Sequence, residues 1–202
     1  MEQQFDTSKI GMWLFIATEI LLFGGLFVGF GLMQNQYPKE FVEAHTHLQR
    51  SLGALNTVVL LFSSWTMVMA VHSAQSNQRK KLEIFLILTI LCAFIFLGVK
   101  YFEYTHKFEE HLLPGKFYGH QHEDSIQDTH GYATFFAFYF MMTGLHGLHI
   151  VGGIVALSWL LFRARKGEFT SAYFTPVDLV GLYWHIVDMI WIYLFPLYYL
   201  IS

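Results

Sequence analysis

Charge is scarce in this chain, and cysteine scarcer still. Charged residues fill 13% of its 202 positions, against about 25% in an ordinary soluble domain. A single cysteine, Cys92, excludes an intrachain disulfide framework, a CxxC redox pair, and any zinc or copper site that needs two thiolates. The net charge of −3 provides no basic footprint for nucleic acid. Only four prolines occur; Pro38, Pro114 and Pro176 are expected in loops, and Pro196 in the last apolar run, where neighbours can re-satisfy the freed carbonyl. There is no internal repeat and no low-complexity tract.

What fills the space is apolar. Hydrophobic residues make up 54% of the chain and aromatic residues 18%. Five runs are long enough to cross a hydrocarbon core of about 30 Å; they lie at 10–33, 52–73, 82–104, 133–160 and 179–200. The pattern predicts a single all-α domain over 1–202, an integral membrane bundle of five transmembrane helices. The first run is too long for a cleavable signal peptide and no A-x-A site follows it, so it is expected to stay as the first span. Trp13, Trp65, Trp159, Tyr198 and Tyr199 suit interface anchors, whereas Trp184 and Trp191 read as packing residues.

The loops set an expected orientation. Lys9, the cluster Arg79, Lys80 and Lys81, and the cluster Arg163, Arg165 and Lys166 share one side. The other side holds Lys39, Arg50, Lys107 and Lys116 beside the acids Glu109, Glu110, Glu123, Asp124 and Asp128. Basic excess marks the cytoplasmic face, which places the N-terminus in the cytoplasm and the C-terminus in the periplasm.

Against this apolar background the polar residues stand out. Glu19 is the only charge in the first run and lies about 14 Å along it, counting a rise of about 1.5 Å per residue. A carboxylate at that depth costs on the order of 2.5–3.5 kcal/mol, so it must face protein or stay protonated. Gly25 and Gly29 follow in a G-x-x-x-G step, which suits close helix packing within the chain or docking against another subunit. In the fourth run, GLHGLHIVGG sets His146 and His149 three apart. They suit metal or haem ligation, or hydrogen bonds to a neighbouring helix or a lipid headgroup. In the fifth, YWHIVDMIW sets His185 and Asp188 three apart; Asp188 needs a partner, either His185 or a histidine of the fourth span.

The third run ends in KYFEYTH, where Glu103 is expected to snorkel at the outer end. Glu103 and His106 form one Glu-x-x-His pair, and di-iron bundles need two, so that reading fails on ligand count. His111, His120, His122 and His130 in the outer loop show no fixed zinc spacing. Too few deep histidines remain for two haems and a copper. By its own residues the chain holds no redox centre.

KIGMWLFIATEILLF, LNTVVLLFSS, KYFEY, GLHGLHIVGG and YWHIVDMIWIYLFPLYYL, in this order along nearly the whole chain, resemble subunit III of haem-copper cytochrome c or quinol oxidases. The resemblance implies a subunit with no metal or haem of its own, docked with subunits I and II, while haem and copper sit in the partner and cytochrome c or quinol acts on the complex. It implies bound phospholipid and support of proton uptake and turnover stability. Glu19 matches the family's carbodiimide-reactive glutamate; Glu103, His146, His149, His185 and Asp188 fall where lipid contact or structural bonding is usual. The first two helices of the seven-helix form, one wall of its lipid cleft, have no counterpart here, which implies the five-helix form of a bacterial inner membrane. An accessory subunit of a nitric oxide reductase, a stand-alone proton transporter and a haem-binding enzyme are the competing readings.

Overall fold

A computed structural model describes residues 2–45, 48–109, 129–171 and 173–199. Six helices follow one another: α1 (Glu2–Gln36), α2 (Pro38–Ala44), α3 (Arg50–Gln75), α4 (Arg79–Glu109), α5 (Thr129–Lys166) and α6 (Thr175–Tyr199). All but α2 are long and apolar enough to cross a membrane, and the chain is an all-α protein with five such helices. The histidine-rich loop with His111, His120 and His122 lies outside the described residues.

Each long helix begins before the apolar run that announced it, and α1, α3, α4 and α5 also end beyond it. The run marks the depth of hydrocarbon, whereas the hydrogen-bond ladder continues through any residue that tolerates helical dihedrals. Two prolines read as loop residues therefore sit in helical first turns instead: Pro38 opens α2 and Pro176 is the second residue of α6. A first-turn N–H has no intrahelical acceptor, so proline loses nothing there. α6 also runs through Pro196 to its end.

α3, α4, α5 and α6 pack in sequence, α3 also meets α6, and α1 lies against α5 and α6. An aromatic knot joins α1, α2, α5 and α6. Phe30 lies 5.0 Å from Tyr198 and 5.2 Å from Phe41, whose ring is 5.3 Å from Phe135. Lipid tails are as apolar as leucine, so close packing and hydrogen bonds must hold such helices together. Both appear between α3 and α6: Trp184 donates to Ser63 Oγ at 3.0 Å and Trp191 to Thr57 Oγ1 at 3.1 Å. Trp184 and Trp191 are fully buried, and Trp13, Trp65 and Trp159 lie on the outer surface. Tyr198 and Tyr199, expected at the interface, are fully buried instead, because Tyr198 packs on Phe30 and Tyr199 donates to Glu103. Gly153 in α5 makes room for the Trp184 ring, which a Cβ there would meet at 2.4 Å. Of the G-x-x-x-G step, Gly29 packs on Phe138 and Gly25 faces open space.

At one end of the bundle the two turns holding the basic clusters are tied together. Asn77 adopts φ 54° in the α3–α4 turn. Its side chain donates to Ser171 Oγ at 3.1 Å and accepts from Ser171 N at 2.7 Å. Arg79 donates to the Arg165 carbonyl. Arg163 pairs with Glu168 at 2.5 Å and stacks over Trp159 at 4.8 Å.

Candidate functional site

Three polar centres lie inside the helices. The first joins α1 to α5. Glu19 is 9% exposed, and its Oε2 stands 2.9 Å from His149 Nε2. The approach is off the axis of a well-directed hydrogen bond, so the contact is best described as an ion-pair contact. His149 Nδ1 faces the Leu145 carbonyl at 2.8 Å, and Tyr183 Oη donates to the His149 carbonyl at 2.8 Å. A carbonyl only accepts, so Nδ1 carries a hydrogen. The Nε2–Oε2 contact is then favourable only with one proton in it, either on imidazolium facing carboxylate or on a carboxyl facing neutral imidazole.

His146 does not share in it. Three residues along a helix leave side chains about 60° apart, enough to send His149 to α1 and His146 into the interior. There His146 is 0% exposed, with Phe96 at 5.4 Å and Trp191 at 5.4 Å, and neither ring nitrogen has a hydrogen-bond partner among the described residues. Joint metal or haem ligation by these two histidines finds no support in that geometry. Among the described residues no three His, Cys, Asp or Glu side chains could hold a metal ion together.

The second centre lies toward the far end of α4. Glu103 was expected to snorkel outward, yet it is 3% exposed and turned inward. The reason is a residue the sequence reading left unassigned, Lys100. Its Nζ lies 2.8 Å from Glu103 Oε2, donates to Tyr199 Oη at 2.9 Å and sits 4.6 Å from the Trp191 ring centre. Tyr199 and Tyr139 donate to Glu103 Oε1 at 2.5 and 2.9 Å. One cation, one anion, two hydroxyls and a ring satisfy one another, which is how buried charges survive. The i, i+3 spacing of Lys100 and Glu103 was the available signal.

The third centre lies on α6. His185 and Asp188 do not pair. His185 Nδ1 takes Ser64 Oγ of α3 at 2.8 Å, and neither carboxyl oxygen of Asp188 has a hydrogen-bond partner among the described residues, although Ser64 lies nearby. No histidine of α5 reaches Asp188 either. His185 and Asp188 are on one face, but tertiary packing turns the histidine toward the α3 serine.

The chain matches the family described as Cytochrome c oxidase subunit III over residues 4–202. It is 30% identical over 193 residues to the "Probable cytochrome c oxidase subunit 3" of Nocardia farcinica, covering 96% of this chain and 87% of that one. It is 29% identical over 210 residues to the "Quinol oxidase subunit 3" of Bacillus subtilis, covering 100% and 92%. The "Probable quinol oxidase subunit 3" of Staphylococcus aureus is 28% identical over 199 residues, covering 98% and 90%.

Proposed function

We propose a supporting, non-redox role for this chain, which belongs to the cytochrome c oxidase subunit III family. In that role it docks beside a catalytic subunit I that carries haem and copper, with subunit II in the same complex. It supports proton uptake and keeps the complex intact through repeated oxygen reduction and proton pumping. Cytochrome c or quinol delivers electrons elsewhere in the complex.

The observation that carries this reading is the Glu19–His149 contact at 2.9 Å. KIGMWLFIATEILLF and GLHGLHIVGG, two motifs that carry the family likeness, lie far apart in the chain and meet here, where Phe23 also packs on His149 at 5.6 Å. Among the described residues no metal-ligand set stands beside it. As a buried, single-proton group beside a proton-consuming neighbour, it suits a supporting part in proton supply.

Phospholipid would cover the apolar outer faces of α1 and α4, where Ile10, Trp13, Leu14, Phe94 and Phe102 are exposed. Glu103 and His146 have too little surface to meet a headgroup, so we assign them structural bonding. The basic end with Arg79, Lys80, Lys81, Arg165 and Lys166 is assigned to the cytoplasmic face of a bacterial inner membrane.

The test is a comparison of purified oxidase with and without this chain. The complex lacking it should begin oxygen reduction and then lose activity during turnover faster than the complete complex. Equal activity and equal resistance to inactivation in both would overturn the supporting role.

A further inference from the structure

The α3–α4 and α5–α6 turns share one end of the bundle, held side by side by Asn77 on Ser171 and Arg79 on the Arg165 carbonyl. Arg79, Lys80 and Lys81 open α4, and Arg163, Arg165 and Lys166 close α5. These six cations share that end with three acids, Glu83, Glu168 and Asp178. Arg79 pairs with Glu83 at 3.0 Å and Arg163 pairs with Glu168. Lys80, Lys81, Arg165 and Lys166 are exposed, and none has an ion-pair partner among the described residues. The excess of positive charge therefore lies on these four.

Their depth says what can meet them. The apolar span of α4 begins at Arg79 and that of α5 ends at Lys166, so the four charges stand at the level of headgroups. About one turn further in, Ile84 on α4 and Phe162 on α5 are exposed, where acyl chains surround them. Lys166 leans back along α5, with its Nζ 4.4 Å from the centre of the Phe162 ring. That posture sets a cation at the boundary between hydrocarbon and headgroups. An acidic protein segment would arrive from the water side and leave Phe162 and Ile84 uncovered. A zwitterionic headgroup brings its own cation and leaves the excess charge in place. A phospholipid with net negative charge answers both halves, phosphate to the cations and acyl chains to the apolar side chains.

We propose that the adjoining ends of α4 and α5 bind an anionic phospholipid, its phosphate among Lys80, Lys81, Arg165 and Lys166 and its acyl chains along Ile84 and Phe162. This rests on the membrane placement of the bundle and adds a headgroup class and a charged site to the lipid contact proposed above. The test uses whatever complex a tag on this chain brings down. It is reconstituted in vesicles of equal phosphatidylglycerol and phosphatidylcholine, with a trace of either lipid carrying a photo-reactive acyl chain. Peptide mass spectrometry should find Phe162 labelled preferentially by the phosphatidylglycerol probe, and Phe102, exposed toward the far end of α4, labelled by both alike. Lys80→Gln and Lys166→Gln should each lower the preference at Phe162 about 5-fold, the share of one cation at an anionic surface. Lys166→Arg should keep it, and Phe102 labelling reports that each variant is still embedded. Equal labelling of Phe162 by the two probes, or a preference unmoved in both glutamine variants, would overturn the site. So would a photo-reactive amino acid at Phe162 that cross-links to protein instead of lipid in native membranes. Absence of haem from the tagged complex would sink the oxidase-subunit role and leave this test intact, because labelling needs only the embedded chain.

Discussion

Lys100 and Glu103, one turn apart on α4, form a 2.8 Å ion pair sealed inside the bundle by Tyr139, Tyr199 and Trp191. Removing one partner leaves the other as a lone buried charge, which costs about 3–5 kcal/mol. Lys100→Met should therefore lower the thermal stability of the detergent-solubilised chain sharply, and Glu103→Gln in the Lys100→Met background should recover much of the loss. A double variant no more stable than Lys100→Met would show that the two charges do not depend on each other.

Glu19 is buried beside His149 at 2.9 Å. A hydrophobic carbodiimide, which reacts with protonated carboxyls, should label Glu19 in intact membranes, and Glu19→Gln should abolish that label. Peptide mass spectrometry reads the outcome directly. A labelled membrane protein in which Glu19 is unmodified would contradict a protonated Glu19 in an apolar setting.

Gly153 and Gly25 are predicted to differ. An alanine methyl at Gly153 meets the Trp184 ring at 2.4 Å, whereas nothing lies within 4 Å of a Cβ at Gly25. Gly153→Ala should destabilise the chain by about 1–3 kcal/mol, as overpacking of a filled core does. Gly25→Ala should leave the melting midpoint of the isolated chain unchanged. Equal effects would mean that α5 and α6 do not approach at Gly153 as described.

Asn77 combines a left-handed conformation with two hydrogen bonds to Ser171. Asn77→Ala loses both advantages and should cost about 1–3 kcal/mol. Asn77→Gly restores the backbone freedom alone and should recover only part of that loss. Limited proteolysis in the two turns gives a second readout, with cleavage rising in the order wild type, glycine, alanine.

Much of the fold was legible along the chain. Apolar runs of sufficient length can satisfy their backbone in lipid only as helices or closed barrels, and their length here favours helices. The exposed Trp13 and buried Trp184 also follow the reading made from the chain. The short α2 was missed because its seven residues are too few for periodicity to show, and Pro38, expected in a loop, is its first residue.

The polar residues tell the other half. Composition and spacing alone determined that Glu19, His146, His149, His185 and Asp188 sit within apolar helices and need partners, because lipid offers none, whereas Glu103 read as a residue that snorkels outward. Which partner each one finds was decided by tertiary structure. Helix crossings bring Glu19 to His149, turn His185 to Ser64, fold Glu103 back onto Lys100 and leave His146 among rings. A helical period sets the face on which a side chain points; only the packed neighbour, placed by close contacts such as Trp184 on Gly153, determines what that face meets.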